Sequence, residues 1–168
     1  MTTQTSRREF LRADVLRADI LRPPGALVDG FRRACTGCGD CAEACPQAII
    51  QSDGQGAVLL DMTERGCNFC GECARACPTD ALSPDRIAAW PWAIAVSDTC
   101  LSLGGVACRS CEDACDERAI RFRLELGGRA RPLIDESACT GCGACISTCP
   151  ADAMSLARKS LVELEDAR

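Results

Sequence analysis

Apolar positions along this chain come in short bursts, and the bursts recur. Leu59-Leu60-Asp61, Ala95-Val96-Ser97-Asp98 and Leu133-Ile134-Asp135 each place an apolar pair ahead of an Asp, which predicts short strands. Residues 120–126 alternate apolar side chains (Ile120, Phe122, Leu124, Leu126) with charged ones (Arg121, Arg123, Glu125). That is the period of a half-exposed strand, and Gly127-Gly128 turns it into the next segment, as Asp53-Gly54 does in the first half. Asp80-Ala81-Leu82, Arg118-Ala119-Ile120 and Asp152-Ala153-Met154 recur at equivalent offsets, and Gln47-Ala48-Ile49 reads as the same unit placed one residue earlier. Each predicts a short helix with an apolar residue turned to a core. No apolar run approaches the ~18 residues of a membrane-spanning helix.

Both ends read differently. Phe10, Leu11, Val15, Leu16, Ile20 and Leu21 stand among Arg and Asp until Pro23-Pro24-Gly25 breaks the pattern. This predicts an amphipathic arm over residues 1–25, which either docks a partner or packs on its own domain. The last ten or so residues, 159–168, read as a solvated helix or frayed tail.

Composition sharpens the picture. The chain has 168 residues, 19 basic and 24 acidic, with a net charge of −5; aromatics are 4% and 16 residues are Cys. A small chain so poor in large side chains is hard to hold together by burial alone. An acidic chain without a basic stripe is a poor nucleic-acid ligand. The absence of His excludes imidazole acid–base catalysis, His-ligated haem, Rieske centres and mixed Cys/His zinc sites.

The cysteines fall into four sets: Cys35, Cys38, Cys41, Cys45; Cys67, Cys70, Cys73, Cys77; Cys100, Cys108, Cys111, Cys115; and Cys139, Cys142, Cys145, Cys149. Gaps of 21, 22 and 23 residues separate them. The first, second and fourth sets read C-x2-C-x2-C-x3-C and are followed by Pro46, Pro78 and Pro150. This is the ligand run of bacterial-type [4Fe–4S] proteins, whose fourth Cys ligates the other cluster of a pair. Gly37, Gly39, Gly141 and Gly143 let the backbone approach closely with positive φ. The spacing is too tight and regular for ordinary disulfides. Structural zinc favours pairs of Cys set well apart, whereas here four fall within eleven residues.

The third set is irregular. It reads C-x7-C-x2-C-x3-C, with Asp116 where Pro would stand and an enlarged loop, residues 101–107, containing Gly104-Gly105. All four thiols are present, which predicts a fourth cluster; the alternative is a degenerate site, empty or holding a labile cluster. Cross-ligation gives a pairing. Cys35, Cys38 and Cys41 join Cys77, and Cys67, Cys70 and Cys73 join Cys45. Cys100, Cys108 and Cys111 join Cys149, and Cys139, Cys142 and Cys145 join Cys115.

The expected fold is α+β: two tandem ferredoxin-like dicluster modules, residues 26–89 and 93–158, with short strands and helices around the clusters. Trp90-Pro91-Trp92 forms an apolar joint between them over residues 90–92. Ser6-Arg7-Arg8-Glu9-Phe10-Leu11-Arg12 matches a twin-arginine export motif. An apolar h-region must follow, and Asp14, Arg17 and Asp19 interrupt it. The arm therefore reads as uncleaved and the protein as cytoplasmic. Arg7, Arg8, Phe10 and Leu11 are the candidate partner-binding residues.

These features together resemble the NapF-type ferredoxins of the periplasmic nitrate reductase system. The resemblance rests on Ser-Arg-Arg-x-Phe-Leu at 6–11, Arg22-Pro23-Pro24, the order of the four sets, Trp90, and the third set with Cys108-Arg109-x-Cys111-x-Asp113. It covers essentially the whole chain. It implies a cytoplasmic protein with several [4Fe–4S] clusters that binds the precursor of the nitrate reductase catalytic subunit and assists its maturation before export.

No nucleophile with a base, open metal position or nucleotide loop is visible, so no substrate turnover is expected. The chemistry belongs to the cofactor. The competing reading is a general electron carrier or wiring subunit served by an electron donor.

Overall fold

Segments this short cannot hold helices by themselves, because a one-turn helix meets the cost of nucleation with almost no propagation. In the computed structural model, which describes residues 20–127 and 129–159, the α-helices are single turns: α1 Phe31–Ala34, α2 Asp40–Glu43, α3 Glu72–Ala76, α4 Ser110–Asp113 and α5 Ala144–Ser147. A 3₁₀ segment spans Pro84–Ala89, started by Pro84 and capped by Ser83, whose hydroxyl accepts from the Asp85 N–H. Arg7, Arg8, Phe10 and Leu11 lie outside the described residues, as do 160–168.

Among the described residues, six strands make three antiparallel pairs. β1 (Ile50–Ser52) pairs with β2 (Val58–Leu60), placing Ile50 opposite Leu60. β4 (Ile120–Leu124) pairs with β5 (Ala130–Ile134), placing Ile120 opposite Ile134. β3 (Trp92–Val96) pairs with β6 (Met154–Arg158), so the two ends of the second half close on each other. In the first half a single bridge, Ala26 to Leu82, occupies the corresponding place. The architecture is the α+β arrangement that the pattern predicts.

The core divides in two. Phe31, Ile49, Ile50, Val58, Leu60, Met62, Ala81 and Leu82 fill the first half, and Ala93, Ile94, Ala119, Ile120 and Met154 the second. Ile146 and Leu156 pack against both. Burial of an Ile such as Ile120 contributes about 1.5–3 kcal/mol.

Three expectations are corrected. The segments after each set are not helices. The helices sit earlier, over the third Cys of each set (Cys41, Cys73, Cys111, Cys145), and the fourth Cys (Cys45, Cys77, Cys115, Cys149) follows the helix end. The unit beginning at Gln47 is not displaced by a residue either. Ala48, Arg118 and Asp152, each three residues past the fourth Cys, share a left-handed φ of 54°, 53° and 47°. The next residue in each repeat, Ile49, Ala81, Ala119 or Ala153, is among the most buried in the chain. Finally, the alternation over 120–126 overstates the strand: β4 ends at Leu124, and Leu124 and Leu126 are 74% and 98% exposed. Of these side chains only Ile120 and Phe122 reach a core; Leu124 and Leu126 lie on the exposed outer part of the hairpin.

Candidate metal centres

The turn geometry brings thiols from different sets together. Glycines in left-handed conformation, Gly39, Gly71 and Gly143, precede α2, α3 and α5. Each bends the chain so that the second and third Cys of its set face one cavity. Cys35, Cys38, Cys41 and Cys77 line a first cavity with Phe31, Val58 and Leu82. Cys45, Cys67, Cys70 and Cys73 line a second with Ile49, Ile50 and Leu60. Cys115, Cys139, Cys142 and Cys145 line a third, larger one of about 460 Å³, which Cys67, Asn68 and Phe69 of the first half also border.

Crowding fixes the electrostatics. Burial, with the neighbouring Cys35, Cys77 and Cys38, pushes the Cys41 thiol up to about 11. Burial together with Cys67 and Cys45 pushes Cys73 up to about 12, and burial with Cys142 and Cys139 does the same to Cys145. Cys111 rises to about 11 through burial, with Cys100 and Cys108 adding to the effect. The buried thiol of each group, with others close beside it, resists ionisation unless a positively charged centre sits among them. A metal cluster supplies that charge, since it binds the thiolate form. Among the described residues, no group of three or more Cys, Asp or Glu converges tightly enough for a single metal ion. Thiols spread around a cavity match a many-atom cluster better than one tetrahedral ion, so this donor set fits a [4Fe–4S] group.

Backbone N–H groups also point at the sulfurs. The Ala119 N–H donates to Cys115 Sγ at 3.3 Å and the Ala153 N–H to Cys149 Sγ at 3.2 Å. Both follow the left-handed residues Arg118 and Asp152, and that conformation aims the next N–H back at the sulfur. The Phe69 N–H donates to Cys67 Sγ at 3.4 Å. Burial raises the Cys77 thiol, but the Thr79 hydroxyl and the Thr79 and Leu82 N–H groups outweigh it and leave the thiol below its ordinary value. Such donors to sulfur tune cluster potentials.

Sequence reasoning missed two cations beside the sets. Lys159 Nζ donates to the Cys139 carbonyl at 2.8 Å, and the Arg75 guanidinium to the Cys70 carbonyl at 2.6 Å while pairing with Glu72. The Glu72–Arg75 spacing of three was visible in the sequence, but not the helix that turns it into a pair. The reach of Lys159 was not, because it depends on the pairing of β6 with β3.

The third set is built differently. Arg109 precedes α4 with φ −139°, where the other sets have left-handed Gly, and its guanidinium lies 5.6 Å from the Phe122 ring centroid. The enlarged loop folds back through the Gly104 N–H to the Cys100 carbonyl and the Val106 N–H to the Leu101 carbonyl. The buried Ser102 hydroxyl ties it to the Ala130 carbonyl at 2.6 Å.

Trp90 stands between the halves. Its ring meets Phe69 edge-on at 5.9 Å and Trp92 at 6.5 Å, and its Nε1–H donates to the Gly141 carbonyl at 3.3 Å. No described helix is long and apolar enough to cross a membrane.

Comparison with known proteins agrees with this geometry. The 4Fe-4S dicluster domain family matches residues 34–81 and 106–153. The first stretch takes in all eight Cys of the first two sets; the second begins at Val106, inside the enlarged loop, and leaves Cys100 outside. "Ferredoxin-type protein NapF" of Haemophilus influenzae is 41% identical over 136 residues, covering 80% of this chain and 77% of that protein. Its namesake in Escherichia coli K12 is 36% identical over 134 residues, covering 79% of this chain and 82% of that protein. "Methylamine utilization ferredoxin-type protein MauM" of Methylophilus methylotrophus is 39% identical over 147 residues, covering 76% of this chain and 65% of that protein. Two dicluster segments and 16 Cys make this a protein of multiple [4Fe–4S] clusters.

Proposed function

The chain belongs to the NapF ferredoxin-type family of 4Fe-4S dicluster proteins, and from that premise we propose that it serves as a cytoplasmic maturation factor for the catalytic subunit of a periplasmic nitrate reductase. Its coarse role is that of an iron–sulfur accessory protein of ferredoxin type, suited to electron transfer rather than turnover of a substrate. The observation that carries the proposal is the meeting of thiols from separate sets: Cys77 with Cys35, Cys38 and Cys41, Cys45 with Cys67, Cys70 and Cys73, and Cys115 with Cys139, Cys142 and Cys145.

On this reading all sixteen cysteines are cluster ligands, and Cys149 completes the third set with Cys100, Cys108 and Cys111. A bound [4Fe–4S] group takes up and gives back single electrons. The protein's part is to hold the thiolates, to exclude water with Phe31, Ile50 and Leu60, and to aim the Ala119 and Ala153 N–H groups at Cys115 and Cys149. Residues 26–89 and 93–158 are the two modules, with 90–92 as their joint. The uncleaved arm, through Arg7, Arg8, Phe10 and Leu11, engages the precursor.

Anaerobic protein with about sixteen iron and matching sulfide supports four clusters; about twelve removes the third set from the scheme. Co-purification with the nitrate reductase precursor, lost on Arg7→Ala/Arg8→Ala, supports the maturation role. No association, with full nitrate reductase activity in a deletion strain, overturns it. The fixed contact between the halves favours a second reading, a general electron carrier, which would show fast exchange with a reductase in place of precursor binding.

A further inference from the structure

Where the two halves meet, cysteines of the second and fourth sets stand at the contact. The Cys67 N–H donates to the Cys142 carbonyl at 2.7 Å, which joins the first ligand of the second set to the second ligand of the fourth. Gly66 permits this approach: a Cβ there would stand 2.7 Å from the Ala144 nitrogen and 2.8 Å from the Cys142 oxygen, inside any tolerable contact. Trp90 braces the same seam through the Gly141 carbonyl and the Phe69 ring. Cys67 borders both the second cavity and the large third one.

Within each half the sets are adjoined by helix packing. α2, carrying Cys41, packs on α3, carrying Cys73; α4, carrying Cys111, packs on α5, carrying Cys145.

We propose that the four sets form one electron-transfer row in the order first, second, fourth, third, with the passage between halves fixed at the Cys67–Cys142 hydrogen bond and its Gly66 contact. Spatial order thus departs from chain order. The irregular third set is one end of the row and the first set is the other. Each passage moves one electron from a reduced centre to an oxidised one; no bond is made or broken and no proton moves. The proposal rests on the cluster assignment given above.

The test uses the full chain, purified anaerobically, with iron and sulfide counted, then reduced with dithionite as the one-electron donor. Low-temperature EPR reads spin relaxation. Wild type is expected to show relaxation enhancement that Gly66→Val, forced apart at the seam, reduces to what the pairs within each half supply, while keeping its iron. Equal iron with unchanged relaxation in Gly66→Val overturns the proposal. Should that variant lose iron, Trp90→Phe decides, since it removes the Nε1–H bond to Gly141 and leaves an aromatic ring beside Phe69. Weakened enhancement there supports the seam, and unchanged relaxation overturns it. Iron-free wild type would overturn the cluster assignment itself, and is told apart by the iron count.

Discussion

The two halves carry the same ligand pattern on unequal scaffolds. In the first, the hairpin turn is fastened by Asp53, which accepts from the Gln55 and Ala57 N–H groups and pairs with Arg22 at 3.0 Å and Arg32 at 3.3 Å. Arg22 also lies over the Phe31 ring, so turn, arm end and core form one node. In the second, the hairpin tip has exposed pairs between Glu125 and Arg131 or Arg123, and bare Leu124 and Leu126. Its compensation is at the other end, where five paired residues of β3 and β6 replace the single bridge of the first half. Ligand spacing can therefore be held constant while the surrounding protein is fastened at different places, because the metal bonds carry most of the constraint.

The largest effect that would break this comparison is metal removal. Chelation is expected to abolish the cooperative urea transition, monitored by circular dichroism, in both halves, since neither core is large enough to stand alone. A cooperative transition surviving in iron-free protein would show that the scaffolds, and not the clusters, hold the fold. Next is the base of the second hairpin. Ile120→Ala, with Ile120 2% exposed, should cost about 2–5 kcal/mol in the urea transition of the loaded protein.

A smaller effect tests the node. Burial raises the Asp53 carboxyl, but the Gln55 and Ala57 N–H groups, with Arg22 and Arg32, outweigh it and hold it at about 2. Its stabilising contribution is thus complete above the ordinary Asp value of about 4 and is lost as pH falls toward 2. Asp53→Asn should lower the urea midpoint at pH 7, and the difference from wild type should narrow in acid. A constant difference down to low pH would remove the charge from the explanation. The smallest effect is expected at the tip: Leu126→Ser, 98% exposed, should change stability by no more than about 0.5 kcal/mol. A large loss there would reveal a packing partner for the outer hairpin.

Strand sites were legible because an apolar pair before a turn residue has few other uses; Leu59-Leu60 and Leu133-Ile134 fall in or at the ends of β2 and β5. The helices were misplaced for a definite reason. A single turn that contains a Cys and is entered through a left-handed Gly has no hydrophobic period to read, as Asp40–Glu43 shows. The left-handed turns at Ala48 and Arg118 were equally hidden, since neither is a residue that announces positive φ, and only the sulfur and core on either side impose it; Asp152 is of a type that tolerates it.

The sequence alone determined the donor chemistry: four sets of thiols with cubane spacing, no imidazole, and too little apolar mass for a metal-free core. Spacing is a local property, and ligand type needs no partner to be recognised. Tertiary structure alone decided which thiols share a cavity wall across the seam, that Gly66 must be bare, and that Lys159 reaches the Cys139 carbonyl. Those depend on two surfaces meeting at contact distance, and the order of residues along a chain does not encode how closely distant segments approach.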